Sequence, residues 1–229
     1  MHPHILIVTI VCIAVALLGL VIFPLLGILR GGLRLAVTTR TKREPIHDPA
    51  LLRWFSLPQG FYYHRGHAWV KEDGTLFRIG VDDFAQKLIG IVERVEVPEV
   101  GTRLVQGEKG WRFKIGARAV HMLCPVSGEV VGVNTEAVRD PRLINLDPYG
   151  EGWLLLVRPD NKRRSLVNLF SGEMARLWLE ESVNAVMGRA KGRLRDVLQD
   201  GGTAVSGLAR VVAGEDWDSL VEELFLSED

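Results

Sequence analysis

Along the chain the apolar positions change their period three times. Residues Ile5 to Leu29, ILIVTIVCIAVALLGLVIFPLLGIL, form one apolar run without a charged residue. As a helix this run would extend roughly 37 Å at about 1.5 Å per residue, enough to cross a hydrocarbon core of ~30 Å with some tilt. Pro24 is tolerated inside such a helix, because neighbouring groups re-satisfy the freed carbonyl. A cleaved signal peptide fits less well: no Lys or Arg precedes the run, it is longer than a signal core, and no A-x-A site follows. The run is therefore read as a membrane anchor, residues 1–29.

A polar, proline-containing stretch follows, TTRTKREPIHDP at residues 38–49. It is the centre of a basic juxtamembrane linker assigned to residues 30–60, and its composition favours an extended backbone. Within it, LLRWFSLPQG (Leu51 to Gly60) is a short apolar piece expected to pack under the next domain.

From Phe61 the pattern shortens to strand-like alternation. HAWVKEDGTLFRIGV predicts two strands around a turn at Glu72-Asp73-Gly74. DDFAQKLIG, with an acidic start and apolar Phe84 and Leu88, predicts a short helix. IVERVEVPEVG alternates Val92, Val95 and Val97 up to Pro98, as a half-buried strand does. GEVVGVN predicts another strand, DPRLINLDPYGEG a turn-rich connection, and WLLLVRP a strand buried on both faces. Many short strands with Gly and Pro punctuation predict a mainly β domain over residues 61–171, a flattened barrel or sandwich.

After Ser171 the period becomes helical: Val183, Val186, Met187, Ala190, Leu194, Val197 and Leu198 follow i, i+3, i+4, i+7 spacing. Gly201-Gly202 interrupts it. The final segment, EDWDSLVEELFLSED, places Trp217, Leu220, Val221, Leu224 and Phe225 on one face and acidic residues on the other. Residues 172–229 are thus a helical extension. Its last stripe has two possible destinations: back onto the domain, or onto a partner protein as an amphipathic docking helix.

Charge refines this picture. Lys+Arg total 28 and Asp+Glu total 28. That balance argues against a nucleic-acid binder, which needs a positive surplus to neutralise phosphates. Arg30, Arg34, Arg40, Lys42 and Arg43 follow the apolar run directly, whereas only His2 and His4 precede it. The positive-inside rule then places everything after Leu29 in the cytoplasm, as a single-pass membrane protein, and the same cluster can meet anionic headgroups. The two cysteines, Cys12 and Cys124, form no CxxC pair, so neither a zinc site nor a disulfide framework is indicated.

The β-segments resemble the H protein of the glycine cleavage system, a family in the lipoyl-domain superfamily. The resemblance is carried by HAWV (67–70), IGVDDFAQ (79–86), VEVPEVG (95–101), PVSGEVVGVN (125–134) and DPRLINLDPYGEGWLLLV (140–157), about half the chain. It implies a flattened β-barrel with a lysine at the tip of an exposed hairpin, to which lipoic acid is joined as an amide. In the family a glycine follows that lysine by eleven residues. Gly128 fills the glycine position, and counting back without gaps reaches Ala117. An alanine methyl has no nucleophilic nitrogen, so no acyl arm can be attached there. Lys114 lies three positions earlier, where the family carries an acidic residue. An odd shift along a regular strand reverses the facing of its side chain. Two further departures remove acidic groups: Ala68 stands where the family has glutamate, and Leu88 to Gly90, LIG, where it has LGD.

The remaining chemistry-bearing residues have ordinary readings. His64 and His67 form an HxxH beside Tyr62 and Tyr63, but metal binding needs further ligands, and His67 matches a family position with a structural role. Cys124 reads as a small buried apolar residue. Asp140, Asp147 and Glu151 lie in a loop where turn-making accounts for them. No nucleophile, base and orienter come together in sequence, so an enzyme is not expected.

The expectation is a membrane-tethered, non-lipoylated H-protein-like domain without a cofactor. It would bind a cytoplasmic or membrane protein partner through the hairpin tip (Gly116, Ala117, Arg118) and the stripe of Trp217, Leu220, Val221, Leu224 and Phe225. The alternative is a lipoyl carrier shuttling an aminomethyl group in glycine decarboxylation, with lipoic acid on Lys114.

Overall fold

A computed structural model describes residues 52–189 and 207–225. The expected membrane helix, most of the linker, and Ala190, Leu194, Val197 and Leu198 lie outside the described residues. Among the described residues, no helix is long and apolar enough to cross a membrane.

Two antiparallel sheets enclose the main apolar core, and Phe61, Tyr63, Trp69 and Ala175 form a second, smaller cluster. The larger is ordered β1 (Tyr62–Tyr63), β2 (Ala68–Asp73), β3 (Leu76–Val81), β9 (Leu155–Pro159), β8 (Gly128–Val133), β5 (Arg103–Leu104). The smaller is ordered β4 (Arg94–Glu96), β6 (Lys109–Ile115), β7 (Arg118–Leu123). Phe77, Ile79, Val130 and Val157 from the first share the core with Phe113, Val120 and Met122 from the second. The alternating sequence dictates this layering, since successive strand residues point to opposite faces. In β6 the alternation is complete: Trp111, Phe113 and Ile115 are buried while Arg112 and Lys114 between them are half-buried.

Of the two expected forms, flattened barrel or sandwich, the described residues have two separate sheets and no barrel closure. Among the described residues no strand pair joins them. Closure requires continuous pairing around the ring, and the edge strands β4 and β5 are only three and two residues long.

Local chemistry sets most element ends. The β2–β3 hairpin closes at Asp73↔Leu76, so its turn is Gly74-Thr75, later than the sequence pattern indicated. Helix α1 (Asp83–Ile89) starts where the Asp82 side chain accepts from the Ala85 N–H at 2.7 Å, an N-cap. The connection read as turn-rich contains a short helix, α3 (Arg142–Leu146), and α2 (Thr135–Arg139) precedes it under an Asn134 cap. Asp147 accepts from the Gly150 and Glu151 N–H groups, which confirms its turn-making role. Strand β9 is buried at Leu155 and Val157 but open at Arg158, so it has one covered face rather than two. Gly128 cannot be anything larger: a Cβ there would lie 2.3 Å from the Arg158 carbonyl oxygen on β9.

A short helix, α4 (Lys162–Leu166), precedes the helical extension. The extension packs onto the β domain. Helix α5 (Gly172–Arg189) buries Ala175, Leu179, Val183 and Val186. Helix α6 (Leu208–Ala213) lies on α1, with the Gly207 N–H donating to the Lys87 carbonyl at 2.8 Å. A 3₁₀ turn then leads into α7 (Trp217–Phe225), which lies on β7. The partner-facing stripe is therefore corrected. Trp217, Leu220, Val221, Leu224 and Phe225 are each at most 8% exposed and belong to the core. An apolar face buried within its own chain is already removed from water and has no surface left for a partner. Phe55, Leu52, Trp54 and Leu57 also pack against this core, as expected for the Leu51 to Gly60 segment.

His67 is the junction of these parts. Its backbone is left-handed, φ 62°. Its Nδ1–H donates to Asp82 Oδ2 at 2.8 Å, and its carbonyl accepts from the Asp82 N–H. The ring stacks on Phe84 of α1 and lies tilted against Trp178 of α5, both at 4.5 Å between centroids, and meets Phe225 of α7 edge-on at 5.7 Å. Replacing His67 by Ala removes these contacts and leaves a buried carboxylate oxygen without its donor. The variant is expected to lose about 3 kcal/mol of stability in urea unfolding. An unchanged midpoint would show that the junction is not needed.

His64, three residues earlier, has the opposite demand. It is 6% exposed, and its Nδ1 accepts the Gly66 N–H at 3.1 Å, which requires the neutral ring. Burial, the Arg65 charge and His67 push its pKa down from 6.5 to about 4. The unfolded chain therefore takes up this proton first as pH falls. The contribution is complete above pH ~6.5, declines by about 1.4 kcal/mol per pH unit below it, and is lost by pH ~4, about 3 kcal/mol in all. Unfolding measured across that window should show the slope, and His64→Gln should flatten it.

Candidate functional site

The hairpin singled out by sequence is formed by β6 and β7. Ile115 pairs with Arg118, so the connection is Gly116-Ala117 alone. Gly116 has φ +61°, and among non-glycine residues only His67 has a positive φ in the described chain. A positive φ at the first of two connecting residues is the signature of a type II′ turn, which matches the right-handed twist of the flanking strands. Gly116 and Ala117 are exposed and form the apex.

Lys114 is not at the apex. It sits within β6, paired with Arg94 of β4 on one side and Ala119 of β7 on the other. Its Nζ lies 3.0 Å from Glu96 Oε1 on β4. The same carboxylate accepts from the Arg112 guanidinium, and Arg94 approaches at 3.8 Å. The hydrogen bonds from Arg112 and Lys114 hold the Glu96 carboxyl below its usual range. Three cations around one carboxylate leave this outer face of the small sheet positive. Glu96 was not legible as the partner of Lys114, because pairing across strands depends on a register that sequence alone does not state.

Arg118 connects the tip to the extension. Its guanidinium lies 4.8 Å from the Trp217 ring centroid, and its Nε is 3.2 Å from Asp218 Oδ1. The Trp217 indole N–H is buried without a hydrogen-bond partner among the described residues. Packing and the Arg118 cation are what hold the ring. Of the expected contact residues, the structure thus brings Arg118 and Trp217 together, leaves Gly116 and Ala117 exposed, and removes Leu220, Val221, Leu224 and Phe225 to the interior.

The other candidates occupy structural places. Trp69 is fully buried and its Nε1–H donates to the Pro148 carbonyl at 3.0 Å. Cys124 is buried, and burial pushes its thiol up to about 12, so it is not a poised thiolate. Among the described residues no group of three or more His, Cys, Asp or Glu could hold a metal ion.

Known proteins share much of this sequence. The family described as glycine cleavage H-protein matches residues 61–182, which runs from β1 into α5. The glycine cleavage system H protein of Carboxydothermus hydrogenoformans is 39% identical over 125 residues, 55% of this chain and 95% of that protein. That of Acinetobacter baumannii is 42% identical over 104 residues, 45% of this chain and 84% of that protein. A crystal structure of the Mycobacterium marinum H protein superposes with a TM-score of 0.46 at 31% identity, covering 51% of this chain and 94% of that one.

The Arg118 contacts generate an expectation. Arg118→Ala should weaken the hold of α7 by about 1 kcal/mol and speed its amide exchange about fivefold. Exchange in the interior of β6 should stay unchanged. Equal protection of α7 in both proteins would mean that its apolar face alone secures it.

Proposed function

This chain belongs to the glycine cleavage H-protein family, and from that premise we propose that it is a member without an acyl arm, acting as a membrane-tethered protein-binding module. One observation carries the reading: Ala117, exposed at the apex of the β6–β7 turn, has no amine to acylate. The nearby amine of Lys114 is engaged by Glu96 within a paired strand. A swinging arm needs a protruding lysine that a ligase can grip and that can reach other active sites. A strand residue facing a sheet surface offers neither.

The module would act through its surface. Gly116, Ala117 and Arg118 form the proposed contact with a cytoplasmic or membrane protein, beside the positive face of Arg94, Arg112 and Lys114. The apolar run of residues 5–29 and the cations that follow it support attachment to a membrane, with the domain on the cytoplasmic side. Tethering raises the effective concentration of a bound partner at that membrane. No catalytic step is assigned to the chain, and no cofactor.

The test is the mass of the protein isolated from its own host. The tip peptide spanning β6 and β7 should carry no added mass. A lipoyl increment on Lys114 would instead make the chain a carrier of the kind that shuttles an aminomethyl group, and would end this proposal.

A further inference from the structure

A groove beside the His64–Arg65 turn shares no residue with the hairpin tip. It has two compartments that meet at Arg65 and Phe170. One, of about 390 Å³, runs along α5 past Met174, Leu177 and Trp178. The other, of about 380 Å³, is lined by polar residues and reaches His64. Both lie in the ~300–1,000 Å³ range of small-molecule sites. Met174 and Leu177 are 60% and 48% exposed, and with Phe170 they form a contiguous apolar trough rather than scattered surface residues.

The polar end is built for an anion. His64 is buried and its Nδ1 is occupied by the Gly66 N–H, so the ring proton resides on Nε2. That N–H has no hydrogen-bond partner among the described residues. Arg65 beside it is exposed and has no carboxylate partner among them either. Because the pKa of His64 lies near 4, the ring is an uncharged donor at neutral pH and does not compete with Arg65 for charge. Carboxylates line the apolar compartment only: Glu181, and Glu223, which Arg189 already pairs. They disfavour an anion at that end and so fix the orientation of any amphipathic ligand.

We infer that this groove binds a medium-chain amphipathic anion, its acidic head on Arg65 and the His64 Nε2–H and its alkyl chain along Phe170, Met174 and Leu177. A free fatty acid and an anionic phospholipid share this chemistry. The experiment uses the full chain in nanodiscs of zwitterionic phosphatidylcholine, a photoreactive diazirine derivative of dodecanoate, and peptide mass spectrometry of the labelled sites. Label should concentrate between Phe170 and Leu177. It should fall about tenfold in Arg65→Glu, the loss expected for one charge-assisted contact, and by a similar factor in Leu177→Glu, which puts a charge where the alkyl chain lies. Both side chains are exposed, so folding should be retained, which circular dichroism checks.

Unlabelled dodecanoate should compete, and dodecylamine should not. If anionic phospholipid added to the disc suppresses the label, the natural occupant is a lipid. If only soluble dodecanoate suppresses it, the occupant is a free acid. Label confined to residues 5–29, label indifferent to Arg65→Glu, or equal competition by dodecylamine would overturn the inference.

Discussion

The contact between His67 and Asp82 is the constraint on which the arrangement of this domain rests. A carboxylate buried in a protein interior must have its lone pairs met, or the charge is costly to keep. Asp82 is met twice, by the imidazole and by the Ala85 N–H that begins α1. One residue thereby ties the end of β3 to the start of β2 and to the first turn of a helix. The imidazole ring then serves as a surface that Phe84 stacks on, Trp178 covers at a tilt and Phe225 meets edge-on. Three helices that are distant in sequence are registered against one side chain. The left-handed backbone at His67 is tolerated because hydrogen bonds on both sides of it over-determine the conformation.

That junction also decides what the C-terminal extension does. Once Phe225 is committed to His67 and Trp217 to the inner side of β7, α7 becomes part of the domain. An exposed strand edge invites pairing with another chain, and β7 is the last strand of its sheet. Helix α7 covers that strand. The β6–β7 tip is braced through Arg118, while its apex presents the methyl group of Ala117. Beside this tip the outer face of the small sheet carries Arg94, Arg112 and Lys114 around Glu96. The groove along α5 lies elsewhere on the molecule and offers a separate, small-molecule chemistry.

Several features were legible in the residues themselves. The strands β4 and β8, the acidic start of α1, the two-strand hairpin at residues 68–81 and the helical spacing of α5 all follow from rules that act over a few residues. The absence of an amine at position 117 is likewise a matter of sequence, because a side chain's chemistry does not depend on where it folds. The short helix α3 was hidden within a segment rich in Gly, Pro and Asp, whose caps and turns use the same residues as irregular loops.

Tertiary structure alone decided the rest, since it concerns residues far apart in the chain. An amphipathic stripe states that one face must leave water, not which surface will cover it, so the burial of Trp217 to Phe225 within the same chain could not be read in advance. Nor could the openness of the two sheets, which depends on strand pairing, or the capture of Lys114 by Glu96, which depends on register. The groove formed by His64, Arg65 and α5 joins positions more than a hundred residues apart. Sequence determined which groups are available and their local geometry. Long-range packing determined which of them face each other, because that outcome minimises exposed apolar surface over the whole chain at once.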